Sequence, residues 1–422
     1  MKYTKYLFLA PLIILTGCQT NSLPQSDPGG RPIYYTSQHI MEIPELERPN
    51  DATISQYEDI RKSWITSLQR AGNLYTIRPK GNAETFKYRQ NIESKTLQKE
   101  LSSGYILNYL YYDGGAIAYD GKPPNGRFYL DIDDETLFFT HSSGKSIISY
   151  IVGHAICQGY IGSIDETIDW PMMKDTLYQG QRLRDLLNMA AGDSHLVDEE
   201  SVIILGLGNH RLYGLDTIAH HLKGSERRGN PVVYNNWLTD VIANYVAFRA
   251  GDDYGKLLDS VFQDSIRIER AVSFELRSRT PIPVRSAFYG QNQTRVTYAF
   301  HITRKDFLRF GVAVMRDYQN NTCVGQYLRE LQSQARPWTR YDPSSDNSRF
   351  WLHRYARKYG GQFYFDFDGM RGRNIVGTEG KNGQNILIDM DNSRIVVTNS
   401  AATPWDHRVF ILNVIRTGKL PE

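Results

Sequence analysis

The sequence predicts an α/β protein of the α+β type, a sandwich in which one antiparallel sheet is built from both ends of the chain and flanked by helices. Two observations predict this fold class. Strand-like segments cluster before residue 134 and after residue 361, and the stretch from about 160 to 330 has helical periodicity. We therefore expect a mostly helical subdomain inserted between the two halves of the sheet.

The composition narrows the range of functions. The chain of 422 residues has a formal net charge of only +3, which is too balanced for a nucleic-acid-binding protein. Its hydrophobic and charged fractions, 41% and 23%, are typical of globular proteins. The sequence contains no internal repeat, no phosphate-binding glycine loop and no CxxC, HExxH or similar metal-ligand pattern. We expect no metal ion, no cofactor and no nucleic-acid partner.

The N-terminus has the pattern of a targeting segment. Two lysines precede an apolar run that is too short to span a bilayer, and Leu-Thr-Gly-Cys follows, ending at Cys18. This order resembles the lipobox of bacterial lipoproteins, which implies a signal peptide over residues 1–17 and an acylated Cys18; a plain secretory signal is the alternative. Gln19 resembles the residue found in outer-membrane lipoproteins of enterobacteria. We expect a protein of the bacterial cell envelope, lipid-anchored to the outer membrane and facing the periplasm, with residues 18–50 as a tether.

The body of the protein, residues 51–422, begins with a predicted helix near residues 54–68. Two strands, "GYILNYLYY" and "GAIAYD", follow around the hairpin turn Asp113–Gly115. "RFYLDID", at residues 127–133, is a third candidate strand. The acidic residues at its end lack the spaced ligands and central glycine of a calcium loop, so we expect a solvated turn there.

The remaining predicted elements are helices, then strands, and then a closing helix. Helices are predicted in "QRLRDLLNMAAGD", which ends in a glycine cap signal, in "NNWLTDVIANYVAFRAG" and in "TRKDFLRFGVAVMRDYQ". Strands are predicted in "GQFYFDFDG", "GQNILIDMDN" and "SRIVVTNSA", and a closing helix in "WDHRVFILNVIRTG".

The segment Phe138–Gly162 places a polar cluster at the head of an apolar helix. Ser142 and Lys145 lie three residues apart, so they share one face of that helix, one turn apart. A serine hydroxyl becomes a nucleophile when a base takes its proton, and a lysine in apolar surroundings can be that base. The helix N-terminus also offers N–H groups to a developing oxyanion. The alternative is structural, with Ser142 or Ser143 as a helix cap and Lys145 as a surface lysine.

The stretch that contains Ser142 and Lys145 resembles the SxxK motif of the serine β-lactamase-like superfamily, and the resemblance extends over roughly residues 100–415. "GYIGSIDETIDWPM" is similar to the segment that follows the nucleophile helix in that family. "LRDLLNMAAGD" is similar to the family's next helix, and the matching positions are Arg184, Asp185, Leu186, Leu187, Met189 and Gly192. The resemblance implies a β-lactamase-like sandwich over residues 51–422, with the helical subdomain at about 160–330.

A second motif, Tyr-x-Asn, is typical of the class C β-lactamase, esterase and 6-aminohexanoate-oligomer hydrolase branches of this family. Tyr234-Asn235-Asn236 resembles it. The resemblance implies that Tyr234 lies beside the nucleophile and shares its proton with Lys145, while Asn236 orients the lysine or the substrate amide. A neighbouring ammonium group favours the ionised form of a tyrosine, and a tyrosinate can act as a general base. The alternative is a buried tyrosine, with Asn235 or Asn236 capping the next helix.

The family's third motif is Lys/His-Thr/Ser-Gly on a strand that lines the site. Lys381-Asn382-Gly383 resembles it, and Asn382 departs from the usual Thr or Ser. "GKNGQNILID" is more similar to the Gly-x-Gly-Gln stretch of the amide-hydrolase and esterase branch. The resemblance implies that these residues bind substrate and that the backbone N–H of Gln384 joins that of Ser142 in an oxyanion hole. The alternative is a glycine-rich turn that opens a strand, with Lys381 exposed.

The three motifs together predict a serine hydrolase that cleaves an amide or ester bond of a small-molecule or peptide-like substrate through an acyl-enzyme. The alternatives are a penicillin-binding cell-wall peptidase or amidase, a β-lactamase, and a binding protein of the same fold without turnover. The aromatic segment "RKYGGQFYFDFDGMRGR" is either one wall of the cleft or a strand that packs through its rings.

Several other residues are expected to be structural. His141 adjoins Ser142 directly, which is poor geometry for a triad base, so we expect a turn histidine. His220, His221 and the basic run from Lys223 to Arg228 could meet an anionic substrate, but we expect a solvated loop. Cys157 and Cys323 could pair in an oxidising compartment, but Cys157 lies in the apolar helix, so we expect a buried free thiol.

Overall fold

The structure, a computed structural model, describes residues 74–89, 92–124, 132–199, 201–203, 207–209, 215–278, 294–401 and 403–422. The predicted signal peptide, Cys18, the tether and the helix near residues 54–68 lie outside these ranges, as does most of the predicted strand at 127–133. Every helix within them is too short or too polar to cross a bilayer.

The strands lie mainly in the first and last thirds of the described chain. In chain order they are β1 (Leu74–Ile77), β2 (Lys87–Tyr88), β3 (Ile106–Asp113), β4 (Ala116–Gly121), β5 (Leu137–Phe139), β6 (Ser201–Val202), β7 (Leu207–Asn209), β8 (Val272–Ser278), β9 (Thr294–Thr303), β10 (Arg336–Pro337), β11 (Ala356–Gly360), β12 (Phe363–Phe367), β13 (Ile375–Gly380), β14 (Gln384–Asp389) and β15 (Arg394–Ser400).

The largest sheet in the described residues has nine strands, in the order β10-β11-β12-β13-β14-β15-β3-β4-β2. All neighbours are antiparallel except β4 and β2. The two ends of the chain meet where β15 pairs with β3, with Val397 opposite Leu110. The predicted sheet built from both ends is therefore confirmed. The predicted hairpin between β3 and β4 is confirmed too, and Gly114 and Gly115 supply the positive φ angles, 53° and 95°, that a two-residue turn requires.

Helices cover both faces of this sheet. In chain order they are α1 (Lys95–Ser103), α2 (Gly144–Cys157), α3 (Leu183–Leu187), α4 (Leu215–His221), α5 (Trp237–Ala250), α6 (Tyr254–Asp259), α7 (Arg304–Gln319), α8 (Cys323–Ser333) and α9 (Asn413–Thr417). On one face Gly311 of α7 packs against Ile386 of β14. On the other face α1 packs on β4, and Tyr109 donates a hydrogen bond to the carbonyl of Phe410 just before α9. The predicted α+β sandwich is confirmed.

The middle of the chain is less helical than the sequence predicts. The helices in "NNWLTDVIANYVAFRAG" and "TRKDFLRFGVAVMRDYQ" are confirmed as α5 and α7, but β8 and β9 lie between them. These two strands join β1 and β5 in a second antiparallel sheet, in the order β1-β8-β9-β5. The alternation of apolar and polar residues after Val272 is the signal for β8. The predicted helix in "QRLRDLLNMAAGD" ends early, at Leu187, because Met189 takes a left-handed φ of 52°.

Helix α2 is buried along most of its length, and its C-terminus is tied to α8 by a disulfide between Cys157 and Cys323. The prediction of a buried free thiol is therefore wrong. The two cysteines are 166 residues apart in sequence, and packing brings their Cα atoms to 5.9 Å, which is normal for a disulfide. Tyr327 of α8 packs over Gly153 of α2, and its hydroxyl lies 2.8 Å from that of Ser149. The two helices are therefore in direct contact next to the disulfide.

Candidate active site

Ser142 occupies a single 3-10 turn, His141–Ser143, directly before α2. His141 opens this turn with a left-handed φ of 47°, so it has the predicted role of a turn residue. Ser142 remains partly exposed, whereas Ser143 is completely buried. Of the two serines, Ser142 is therefore the one that a substrate can reach, in agreement with the choice made from its spacing to Lys145.

Ser143 does not cap α2 with its side chain, contrary to one of the two structural alternatives. Its hydroxyl donates a hydrogen bond to the backbone carbonyl of Gln384 at 2.5 Å and accepts one from the Thr378 hydroxyl at 3.0 Å. Thr378 lies in β13, and Gln384 is the first residue of β14. Ser143 thus ties the head of α2 to the strands that carry the third motif.

Lys145 lies in the first turn of α2 and is only 1% exposed, which excludes a surface lysine. Its Nζ donates a hydrogen bond to Oδ1 of Asn236 at 2.5 Å and lies 5.1 Å from the centre of the Tyr234 ring. Tyr234 is itself 7% exposed. Three of the predicted site residues, from two distant parts of the sequence, therefore meet one helical turn from Ser142.

The two asparagines of the Tyr-x-Asn motif have different roles. Asn235 caps α5, because its Oδ1 accepts the backbone N–H of Leu238 at 2.8 Å. Its amide also lies 3.4 Å from the carboxylate of Asp193, whose pKa burial raises to about 6. Asn236 faces Lys145 instead. Asn235 is therefore a helix cap, and Asn236 contacts the lysine, whereas its role in the reaction stays a prediction.

The third motif forms the turn between β13 and β14. Asn382 and Gly383 have left-handed φ angles of 63° and 75°, and the Lys381 side chain is exposed. Gly380, the last residue of β13, packs so tightly that a Cβ there would come within 2.2 Å of the Thr140 carbonyl oxygen and 3.2 Å of the His141 Cβ.

These contacts place the third motif on both sides of Ser142. Gly380 touches the chain just before Ser142, and Gln384 accepts the hydrogen bond from Ser143 just after it. The site roles predicted for Lys381, Asn382, Gly383 and the Gln384 N–H stay predictions.

An aromatic wall, formed by Trp338, Tyr359 and Tyr364, packs beside Tyr234. The Trp338 and Tyr359 rings each lie 6.0 Å from the Tyr234 ring, and Tyr364 lies 5.0 Å from Tyr359. Burial raises the pKa of Tyr359 and of Tyr364, so both stay neutral. The predicted strand in "GQFYFDFDG" carries Tyr364, and Tyr359 lies in the aromatic segment just before it, whereas no motif marks Trp338.

A cation also lies beside the Tyr234 ring. The Arg340 guanidinium is 5.6 Å from the centre of the Tyr234 ring and forms a 2.7 Å ion pair with Glu199. Lys145 and Arg340 therefore both approach the ring of Tyr234. Positive charge beside a phenol favours its ionised form. Sequence reasoning missed Arg340, since an isolated arginine carries no pattern.

A buried carboxylate in β13 supports the outer edge of the aromatic wall. Glu379 accepts the backbone N–H groups of Leu352 and His353 and faces the His353 Nδ1 at 2.7 Å. Burial acts to raise the pKa of Glu379, but the charge and hydrogen bond of His353 outweigh it and hold that pKa below its usual value. The His353 ring in turn stacks on Tyr364 at 6.1 Å. No sequence motif marks this pair.

The His220-His221 pair lines a cavity of about 500 Å³ together with Trp170 and Lys223, between α4 and the segment before α3. His220 and His221 are exposed, as predicted for a solvated segment, although they belong to a helix. In the ranges that the structure describes, no three His, Cys, Asp or Glu side chains are grouped so as to hold a metal ion.

Comparison with known proteins identifies the fold. No protein-family model matches the chain, and no curated protein matches it in sequence. Solved structures do match. A structure described as a 6-aminohexanoate-dimer hydrolase from Bacillus anthracis aligns with a TM-score of 0.58 and 14% identity, over 86% of this chain and 96% of its own. A structure described as a β-lactamase from Bacteroides dorei aligns with a TM-score of 0.50 and 13% identity, over 73% of this chain and 91% of its own.

This chain has the serine β-lactamase-like fold. The resemblance drawn from the three motifs is therefore confirmed at the level of architecture, and the fold is one that hydrolases use. The β-lactamase-like arrangement also explains why motifs far apart in sequence converge. The head of α2, the loop before α5 and the β13–β14 turn meet at one place, around Ser142.

Proposed function

We propose that this protein is a serine hydrolase that cleaves an amide or ester bond through an acyl-enzyme, with Ser142 as the nucleophile. The observation that supports this most directly is the buried Lys145, held by Asn236 against Tyr234, one turn from Ser142. Burying an ammonium group costs several kcal/mol, and its hydrogen-bond partners return about the same amount. Stability alone therefore does not favour a buried lysine at this position. A role in proton transfer explains why a lysine is buried here.

The reaction follows from these contacts. Ser142 Oγ attacks the substrate carbonyl carbon, and its proton passes to the Lys145–Tyr234 pair as the new C–O bond forms. The carbonyl π electrons move onto the oxygen, and their return breaks the C–N or C–O bond of the substrate. The departing amine or alcohol takes the proton from the same pair. Water then attacks the acyl-serine in the same way and releases the acid.

We infer that the oxyanion is held by the backbone N–H groups of Ser142 and Gln384. Two observations support this. The Ser142 N–H lies at the head of α2, where helix amides are free to donate. The Gly383 carbonyl accepts a hydrogen bond from the Thr398 hydroxyl of β15 at 3.0 Å. Because a trans peptide unit directs its C=O and N–H oppositely, the Gln384 N–H points away from β15 and towards β13, whose last residue, Gly380, packs against the chain just before Ser142.

The substrate is proposed to be a small-molecule or peptide-like amide or ester. Arg340, which is partly exposed and lies beside the Tyr234 ring, supports a substrate that carries an anionic group. The protein is proposed to be held on the outer membrane by a lipid at Cys18, facing the periplasm. The disulfide between Cys157 and Cys323 supports an oxidising compartment of this kind.

The test is covalent labelling of the purified mature protein with a fluorophosphonate probe, followed by peptide mapping. We expect one adduct, on Ser142, and none in Ser142→Ala. Ser143→Ala is the matched control, since it removes the neighbouring hydroxyl and should still be labelled on Ser142. A folded wild-type protein that takes up no serine-directed probe, or takes it up at another residue, contradicts the proposal.

A fluorescent penicillin, used in parallel, separates the enzymatic alternatives. Rapid formation of a stable penicilloyl adduct on Ser142 favours a cell-wall peptidase, and turnover of the drug favours a β-lactamase. Labelling by the fluorophosphonate alone favours the amidase or esterase assignment. Labelling by neither leaves a binding protein of the same fold.

A further inference from the structure

Three buried side-chain amides form a row across the sheet behind the third motif. Asn108 of β3, Asn399 of β15 and Gln384 of β14 lie on adjacent strands, and Asn108 and Asn399 are directly opposite each other in the strand register. Their exposed fractions are 0%, 0% and 2%. We call these three side chains the amide row. It begins in β3, crosses β15 and ends in β14, the central strand, at the turn that adjoins Ser142.

The hydrogen bonds of the amide row all run in one direction. The Arg304 guanidinium donates to Asn108 Oδ1 at 3.2 Å, and Asn108 Nδ2 donates to Asn399 Oδ1 at 2.8 Å. Asn399 Nδ2 then donates to Gln384 Oε1 at 2.9 Å. Arginine has no acceptor atom, so Asn108 must offer its oxygen to Arg304 and its NH2 group to Asn399. The orientation of each following amide is determined in turn.

Arg304 is a rigid starting point for this row. It is 2% exposed and is held by ion pairs to Asp120 and Asp134, at 2.5 and 2.6 Å. A guanidinium fixed on several sides by carboxylates has little freedom to rotate. The direction of the amide row is therefore imposed from its end remote from Ser142.

At its other end, the amide row holds the backbone of the third motif. Gln384 Nε2 donates to the carbonyl oxygens of Asn382, at 3.1 Å, and Ser400, at 2.8 Å. Asn382 has a left-handed φ of 63°, a conformation that a non-glycine residue adopts at some cost. The contact with Gln384 stabilises that conformation only while the Gln384 NH2 group, and not its oxygen, faces Asn382.

Stability does not explain why these positions are polar. The next row along the same face of the sheet consists of Leu110, Val397 and Ile386, which are all buried and apolar. Replacing a buried hydrogen-bonded row by apolar side chains of similar shape is often neutral or stabilising. Apolar side chains cannot donate a hydrogen bond that fixes the direction of a carbonyl. Gln384 donates such a hydrogen bond to the Asn382 carbonyl.

We propose that Asn108, Asn399 and the Gln384 side chain are positioning residues for hydrolysis. The amide row transmits the fixed orientation of Arg304 to the Asn382 carbonyl, and so aligns the β13–β14 turn with Ser142. This inference rests on the proposed function, because it assigns the amide row to the oxyanion side of that site. All three side chains are buried, so each acts through the backbone of the turn.

The test measures the maximal rate and the apparent affinity of fluorophosphonate labelling at Ser142, together with thermal unfolding. Asn399→Leu removes the central amide and keeps its approximate shape. Asn244→Leu is the matched control, because Asn244 is also completely buried and its side chain donates to the Asp240 carbonyl within α5. We expect Asn399→Leu to lower the maximal labelling rate by about 10- to 100-fold, with unchanged apparent affinity. Asn244→Leu should lose similar thermal stability and keep the wild-type rate.

Asn108→Asp provides a second, milder variant at the end of the amide row remote from Ser142. The carboxylate still accepts from Arg304 but offers no proton to Asn399, so the Asn399 and Gln384 amides reverse and the NH2 group of Gln384 leaves Asn382. We expect a slower labelling rate with little loss of thermal stability. If Asn399→Leu does not fold, this variant decides the outcome.

The outcomes separate two failures. Wild-type labelling rates in both folded variants overturn the positioning role and leave the proposed function intact. A folded wild-type protein that no serine-directed probe labels overturns the proposed function, and the positioning role with it. A rate loss in Asn244→Leu equal to that in Asn399→Leu also overturns the positioning role, because the effect is then one of general destabilisation.

Discussion

Lys145 and Asn236 are joined by a 2.5 Å hydrogen bond from Nζ to Oδ1, in a place where neither side chain is more than 8% exposed. The bond connects α2, which begins beside Ser142, to the N-terminus of α5. It also holds the lysine against the ring of Tyr234. The position of the proposed base is therefore determined by an amide that the third residue of the Tyr-x-Asn motif supplies.

Removing this amide should impair proton transfer. In Asn236→Leu the buried Lys145 side chain loses the hydrogen bond to Oδ1 of Asn236, so we expect labelling of Ser142 to slow by about 100-fold and the unfolding free energy to fall by about 1–3 kcal/mol. Labelling kinetics and chemical denaturation measure the two effects. Asn235→Ala is the control, because it removes a helix cap at a cost of about 1 kcal/mol and should keep most of the labelling rate. Equal rates in the two variants would falsify the role of Asn236.

Crowding at the end of β13 should separate the third motif from Ser142. In Gly380→Ala the new Cβ meets the Thr140 carbonyl at 2.2 Å, so the strand end must move away from the turn that carries Ser142. We expect a loss of about 1–3 kcal/mol in stability and a clear drop in labelling rate. The control Gly377→Ala lies in the same strand as Gly380 but crowds Phe367 of β12, at 2.6 Å, and should cost stability alone. Unchanged labelling in Gly380→Ala would count against the site geometry described.

The disulfide should stabilise the fold without taking part in chemistry. Replacing both Cys157 and Cys323 by serine releases a cross-link between residues 166 apart, and we expect the unfolding free energy to fall by about 2–5 kcal/mol. Denaturant titration of the variant, and of the wild type with and without reductant, measures this. Probe labelling of Ser142 should persist while the variant is folded. A variant as stable as the oxidised wild type would contradict the expectation.

Stability should depend on pH through Asp193. Burial raises its pKa to about 6, so between about pH 4 and pH 6 the folded protein keeps a proton that the unfolded chain has released. The unfolding free energy of the wild type should therefore fall relative to that of Asp193→Asn as the pH rises through this window, by about 3 kcal/mol in total, and stay level above it.

Denaturant unfolding of both proteins at several pH values gives this difference directly. Taking the difference removes the opposing contribution of buried histidines such as His407, whose pKa burial lowers to about 4 and which destabilises the fold as the pH falls. A difference that does not vary between pH 4 and 7 would show that Asp193 titrates normally.

Much of the fold could be predicted because its signals are local. The hairpin at Gly114 and Gly115 follows from two residues that accept positive φ, and α5 and α7 follow from helical periodicity with a cap at each start. The β8–β9 pair was missed because its strands lie among strong helices, and the disulfide was missed because 166 residues separate the cysteines.

The sequence by itself determined which residues are candidates for the chemistry. Spacing alone selected Ser142 with Lys145 on one helix face, and resemblance added Tyr234 and Asn236. Only the tertiary structure decided their environment, that is, that Lys145 is buried, that Asn236 rather than Asn235 holds it, and that Gly380 and Gln384 flank Ser142. The physical reason is range: helical spacing acts over a few residues, whereas burial and hydrogen-bond partners depend on packing between segments far apart in the chain.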